Sequence, residues 1–192
     1  MTRDDILQSA AQVFRQKGFH GASMADIAEA VELKKASLYH HFTSKQEILL
    51  ELLDRALEMV TERMAEVMAQ EISSEDKLRQ AMRVYLKTLS EQGDLVSVLL
   101  LEFRSLEPDL YARHIPNRDR FEAMWRDLIQ QGLDDGSFSC ESASMTARGI
   151  LGVLNWTITW YRSDGKMSIE QISDHFANLF LHGIRRQTTP LV

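Results

Sequence analysis

The chain has a single cysteine, Cys140. It makes no internal disulfide, which agrees with a reducing compartment. Proline and glycine are scarce, three and nine in 192 residues, and no Asn-Gly or Asp-Gly signal lies between alternating apolar runs, so hairpins and sheets are not expected. No apolar run is long: the densest, LVSVLLLEF at 95–103, is far too short to span a bilayer. The charged start MTRDD leads into no secretory apolar core, so a cytoplasmic protein without a membrane partner is expected. Catalytic signatures are missing as well. There is no HExxH, GxSxG or phosphate loop; His40 and His41 are neighbours that point apart on a helix; His114, His175 and His182 are scattered. No enzyme, no metal and no cofactor is expected.

What is present is ordinary globular material, 44% apolar and 26% charged, rich in the helix formers Ala, Leu, Glu, Gln, Met and Arg. The length fits one large unit or a small module fused to a larger one. The net charge of -6 is unevenly spread: residues 1–50 hold six Lys/Arg, six Asp/Glu and three histidines, so the acidic excess lies entirely beyond them. Charge alone argues mildly against a nucleic-acid partner.

Helix starts recur along the chain. Thr2-Arg3-Asp4-Asp5 reads as a capping box, and apolar residues follow at Ile6, Ala10, Val13 and Phe14 up to Gly18, which suits a left-handed stop. Ser23-Met24-Ala25-Asp26 repeats the signal, with Met24, Ile27, Ala28 and Val31 on one face. After a tight turn at Glu32 and Leu33 a third short helix runs to about His41, and Ser44-Lys45-Gln46-Glu47 opens a longer one. Further starts fall at Ser73/Ser74, Asp94, Pro116-Asn117, Ser142 and Ser168, and stops at Gly93, Pro108, Gly136 and Gly165. The expected fold is all-α with about nine helices. Glu107 to Asn117, holding two of the three prolines, is expected to be a loop or frayed element.

The stretch LKKASLYHHFTSK at 33–45 is poor core material. On a helical wheel Leu38 and Phe42 lie together at i, i+4 and anchor the helix inward, Ala36, Ser37 and His40 point away, and Lys35, Tyr39 and His41 flank the anchor. Any surface helix turns polar residues outward. This one follows a capped helix and a three-to-four-residue turn, which makes a helix-turn-helix, and its small residues, donors and flanking cations suit a DNA major groove.

The span from Ile6 to Leu53 resembles the N-terminal domain of TetR-family transcriptional regulators, through Ile27-Ala28, then Leu38-Tyr39-His40-His41-Phe42, then Ser44-Lys45 with Ile48-Leu49. The resemblance implies a DNA-binding domain at 1–46 and a ligand-binding and dimerisation domain at 47–192. It places Lys35, Ala36, Ser37 and His40 on bases, Tyr39, His41 and Lys45 on phosphates, and Ser23, Met24 and Ala25 at backbone or an edge base. Glu32 stands where the turn commonly has glycine, Lys34 where a capping hydroxyl is usual, and Ala36 where glycine or proline is frequent. The resemblance also implies a homodimer through the last two helices, a double-stranded palindromic operator and a small-molecule inducer.

Residues 142–162 form a helix apolar nearly all round, with Gly149, Gly152, Val153, Trp156 and Trp160 on one face and a polar stripe of Arg148, Asn155, Thr159 and Arg162. Such a helix is buried on two sides, by its own core and by a partner. Core packing or a pocket wall explains the tryptophans. The pocket reading joins Arg148, Trp156, Trp160 and Arg162 to Phe103, Arg104, Tyr111, Phe121 and Trp125 as an apolar wall with cations for an acidic ligand end. The run Leu154 to Arg162 is similar to the branch of TetR-type regulators that govern fatty-acid or steroid degradation and respond to acyl-CoA thioesters. An efflux regulator sensing a drug-like compound, or a helical interaction module that binds no DNA, are the competing readings.

Overall fold

The computed structural model describes residues 2–184. Among them the regular structure is nine α-helices and two 3-10 turns: α1 (Arg3–Gly21), α2 (Met24–Ala30), α3 (Lys35–His41), α4 (Lys45–Met68), α5 (Ser74–Glu91), α6 (Gly93–Leu101), α7 (Pro108–Asp134), α8 (Ala143–Trp156) and α9 (Ile169–Ile184), with single turns at Phe103–Ser105 and Thr157–Thr159. None of these helices is long and apolar enough to cross a membrane. Arg185, the expected end of the last helix, lies outside the described residues.

Hydroxyl caps set most of the helix starts. Thr2 and Ser23 form complete capping boxes with Asp5 and Asp26. Ser168 accepts from the Gln171 amide at 3.3 Å while Gln171 accepts from the Ser168 amide at 2.9 Å. At α4 the box is shifted by one residue: Ser44 accepts from the Glu47 amide, but the Glu47 carboxylate takes the amide and hydroxyl of Thr43, both at 2.7 Å.

One expected break is found and one is not. Gly18, at φ 68° and ψ 160°, is non-helical and kinks α1, and a short last turn carrying the buried Phe19, which meets Phe14 edge-on at 5.3 Å, runs on to Gly21. Residues 107–117 are not a loop. Pro108 is the first residue of α7, where a proline loses no bond, and Pro116 lies inside the helix. The buried series His114, Phe121, Trp125, Leu128 and Ile129 follows a helical period, and that packing outweighs the bond Pro116 removes.

The chain divides into two compact units, one made of the residues up to Met59 with Gln92–Arg118, the other of Val60–Glu91 with the chain from Asp119. In the first, α1 packs on α2 and α6, and α2 on α3; Arg15 pairs with Asp94 at 2.5 Å. In the second, α5 lies along α9, pinned by Arg83–Asp174 at 2.5 Å and Arg79–Asn178 at 2.8 Å.

Candidate DNA-reading surface and ligand region

The recognition helix is held by its two apolar anchors. Leu38 and Phe42 are fully buried, as are Ile27, Ala28 and Val31, and α3 packs on α2; each anchor contributes about 2 kcal/mol by burial. With those two inward, the geometry of α3 leaves Lys35, Ala36 and His40 exposed, Ser37 and His41 half-buried, and Tyr39 at 45% exposure. The residues expected on bases thus share one accessible face.

The turn before α3 is a complete Schellman motif. The Leu33 amide donates to the Ala28 carbonyl at 2.9 Å and the Glu32 amide to the Glu29 carbonyl at 3.1 Å. That geometry requires a left-handed residue at position 32, and Glu32 adopts it with φ 53°. It is the only non-glycine residue with positive φ among those described. A glutamate in glycine's place therefore leaves the turn type unchanged and costs local strain instead. Lys34 caps α3 with no side-chain bond.

Met24, expected with its neighbours at the DNA backbone or an edge base, is 8% exposed with its side chain buried, whereas Ser23 and Ala25 are exposed. The Ser23 hydroxyl is engaged with Asp26 at 2.6 Å. Lys17, 2.5 Å from Asp26, together with the Ser23 bonds, holds that carboxyl far below the usual carboxylate range.

Lys45, expected on a phosphate, is engaged within the chain. Its ammonium donates to the carbonyls of Phe19 at 2.6 Å and Ala22 at 2.7 Å and lies 4.3 Å from the centre of the Phe19 ring. It clamps the α1–α2 junction to the start of α4. A second clamp has no counterpart among the sequence expectations. The Arg3 guanidinium lies over the Phe42 ring at 3.9 Å, donates to the His41 carbonyl, and pairs with Glu51 at 2.5 Å and Glu47 at 3.1 Å. It ties the end of the recognition helix to α4. The i, i+4 carboxylates at 47 and 51 are a visible request for a cation, but nothing local says which one answers. Gln46 is a third such bond, donating to the Ser105 carbonyl at 2.9 Å and accepting from the Glu107 amide at 3.1 Å.

The nine residues expected to bind ligand fall into three groups. In the first unit Phe103 stacks on Tyr111, with ring centres 6.4 Å apart, and exposed Arg104 lies above the Phe103 ring. In the second unit Phe121 and Trp125 are buried in a cluster with Tyr85, which stacks on Phe121 at 5.8 Å and meets Trp125 edge-on at 6.0 Å. The Tyr85 hydroxyl donates to Asn155 at 2.6 Å, and burial pushes this phenol up. The third group is on the surface. Trp156 is 67% and Trp160 46% exposed, and Arg148 and Arg162 pair with Glu122 at 2.7 Å and Asp164 at 2.9 Å. The structure does not bring these four to the buried aromatic cluster. The wheel shows an apolar helix but gives no means of telling which face packs on the chain's own core, and here that face is Ala143, Ala147, Ile150 and Leu154.

Among the described residues no three His, Cys, Asp or Glu side chains are placed to hold a metal ion. An all-helical body carrying a capped helix-turn-helix, with its recognition face uncovered, defines a DNA-binding regulator of the helix-turn-helix class. The chain belongs to the TetR family of such proteins, a family of regulators rather than enzymes. Residues 6–52 match the family model described as bacterial regulatory proteins, tetR family, and residues 71–184 the one described as tetracyclin repressor-like, C-terminal domain. The chain is 33% identical to the TetR-family transcriptional regulator PfmR of Thermus thermophilus, whose crystal structure superposes with a TM-score of 0.86 over 94% of this chain and 99% of that one. It is 27% identical to the transcriptional repressor KstR2 of Mycolicibacterium smegmatis, across 95% of this chain and 90% of the relative. A crystal structure of AibR in complex with isovaleryl coenzyme A and operator DNA is 25% identical, with a TM-score of 0.85 over 92% of this chain and 96% of that one.

Proposed function

We propose that the protein is a cytoplasmic homodimeric repressor that leaves a palindromic operator when it binds an acyl-CoA or a related amphipathic acid. The observation that carries the reading is the uncovered face of α3, with Lys35, Ala36, Ser37 and His40 presented together. The likeness to AibR, crystallised with an acyl-CoA and operator DNA, supports the ligand class. In this reading residues 1–46 read DNA, and residues 47–192 sense ligand and dimerise. Lys35, Ala36, Ser37 and His40 meet bases; Tyr39 and His41 meet phosphates, with Ser23 and Ala25 at the edge of the site. Lys45 acts chiefly by holding the module together. Candidate ligand contacts are Phe103, Arg104 and Tyr111 in the first unit and, separately, Phe121 and Trp125 in the second.

Dimerisation draws its support from α8 and α9. Met145, Gly149, Gly152 and Trp156 follow one another along the exposed side of α8, and Leu179 stands exposed on α9. Large apolar side chains in such a row call for a partner surface. Two recognition helices then reach successive major grooves about 34 Å apart. Ligand and DNA oppose each other by linkage: a ligand that favours mis-spaced modules weakens operator binding by the same factor that the operator weakens ligand binding.

Selection of bound sequences from a random duplex pool, with and without isovaleryl-, dodecanoyl- and palmitoyl-CoA, tests the reading. One palindrome, enriched without ligand and lost with one of the three, is expected. Enrichment that no acyl-CoA alters overturns the ligand class, and no enrichment overturns the DNA reading. Changing Ser37 or His40 shifts the selected sequence, while changing Tyr39 to Ala weakens all DNA and lowers the salt slope by about one.

A further inference from the structure

One buried histidine on α7 has no task in DNA reading or dimerisation. His114 is 1% exposed. Its Nδ1 lies 2.9 Å from Oδ1 of Asp54 on α4, and Asn117 donates to the same oxygen at 3.0 Å. Burial pushes the Asp54 carboxyl up, but the bonds from His114 and Asn117 outweigh it and hold the group below the usual carboxylate range. Asp54 is therefore an ionised acceptor, and the proton between the two groups belongs to Nδ1. With Nδ1 so engaged, Nε2 is the ring's remaining polar atom, a lone-pair acceptor in the neutral imidazole and an N–H donor in the imidazolium. That Nε2 is buried, and no group among the described residues bonds to it. Buried polar atoms are paired as a rule, so an unpaired one points to a partner supplied from outside the chain.

Building on the reading of the chain as an acyl-responsive regulator, we propose that His114 selects the inducer: its Nε2 accepts a hydrogen bond from a donor on the ligand. Two parts of such ligands carry one, the amide N–H of a pantetheine arm and a hydroxyl on the acyl chain. Against the neutral ring a plain fatty-acid anion brings only lone pairs to a lone pair and is disfavoured. Because Nδ1 is bonded to α4, the helix that follows the recognition module, a ligand that engages this ring also acts on α4.

The test uses the full chain on its selected operator at pH 8. Release is titrated with isovaleryl- and dodecanoyl-CoA, the matching pantetheine thioesters, dodecanoic acid and 3-hydroxydodecanoic acid. His114→Asn keeps a donor for Asp54 and removes Nε2. With wild type, ligands carrying the donor are expected to release DNA at concentrations about tenfold lower than dodecanoic acid. In His114→Asn that advantage disappears, while ligand-free operator affinity and the response to dodecanoic acid stay as they were. Loss of the thioester advantage alone assigns the pantetheine amide; loss of the 3-hydroxy advantage alone assigns the hydroxyl. If wild type responds and His114→Asn responds identically to every ligand, Nε2 meets only water and the proposal is wrong, although the acyl-responsive reading stands. If no ligand releases wild type, both fall. Should the variant fail to fold, wild type labelled with 15N-histidine decides. The Nε2 resonance of a ring protonated at Nδ1 must shift on adding the responding thioester or hydroxy acid, and an unmoved spectrum overturns the proposal.

Discussion

Helices α3 and α8 each leave one side uncovered, and the two sides are opposite in chemistry. On α3 the outward residues are Lys35, Ala36, Tyr39 and His40; on α8 they are Met145, Arg148, Gly149, Gly152 and Trp156. Small residues stand on both, so in both places another surface can come close. The large residues differ: cation, phenol and imidazole on α3, thioether and indole on α8 beside one guanidinium already paired with Glu122. A polyanion suits the first because it offers acceptors and negative charge. The second gains nothing from phosphate and much from an apolar mate. Exposure alone thus says that something binds, and the chemistry of the side chains says what.

The largest expected effect breaks the α8 half of this comparison. A side chain at Gly152 meets nothing within 4 Å in the single chain, so Gly152→Arg leaves the fold intact and places a charge where a mate helix should pack. Sedimentation should show monomer, with dimer affinity reduced more than a hundredfold, about 3 kcal/mol or more, and operator binding should fall with it. A dimer that survives would remove α8 from the interface.

Next in size is Lys45, which sharpens the α3 half. Removing two charge-assisted bonds to backbone carbonyls by Lys45→Ala should cost about 2 kcal/mol of stability by urea unfolding. Binding to every DNA sequence should weaken while the salt slope is unchanged. A stability near that of wild type, with the slope smaller by about one, would return Lys45 to a phosphate.

Lys45 also shows where sequence reading ends. The capping boxes of Thr2 and Ser23, the Leu38–Phe42 anchor and the left-handed Gly18 are matters of three or four residues, and the structure holds each of them. A lysine at a helix start reads the same whether it meets a phosphate or the carbonyls of Phe19 and Ala22, 26 and 23 residues away. Arg3 is bound to Glu51 across 48 residues, and His114 to Asp54 across 60. In neither pairing does the local sequence name the partner. Trp156 is legible as part of an apolar face, but its exposure depends on which side of α8 the chain itself covers. Prolines 108 and 116 mislead because a punctuation rule is applied where burial of the α7 face decides.

A smaller effect is expected at Glu32. Its left-handed conformation costs about 1–2 kcal/mol in a residue with a side chain, and glycine gives back about 0.4–1 kcal/mol through the freedom it adds to the unfolded chain. Glu32→Gly should therefore stabilise the protein by about 0.5–1 kcal/mol. It also removes an anion beside the reading surface, so DNA affinity should rise, and more at low salt than at high. A loss of about 0.4–1 kcal/mol would mean that the turn carries no strain.

The smallest effect concerns acid. Asp26 is held below the carboxylate range first by Lys17 and then by Ser23, and it is more acidic folded than unfolded. Such a group adds stability above its unfolded pKa of about 3.9 and loses that contribution as pH falls through the lower folded value. Asp26→Asn keeps the size of the side chain but removes the charge, so the variant should be less stable than wild type at pH 7. The gap should narrow below about pH 4 and close in stronger acid. The measurement is the urea midpoint by circular dichroism from pH 7 to pH 2, with tryptophan fluorescence recorded alongside. All three tryptophans, 125, 156 and 160, lie in the second unit. A pH-dependent gap in the dichroism signal with little change in fluorescence places the effect in the recognition module. A gap of constant size from pH 7 to pH 2 would show that Asp26 acts through the α2 cap alone and not through its charge.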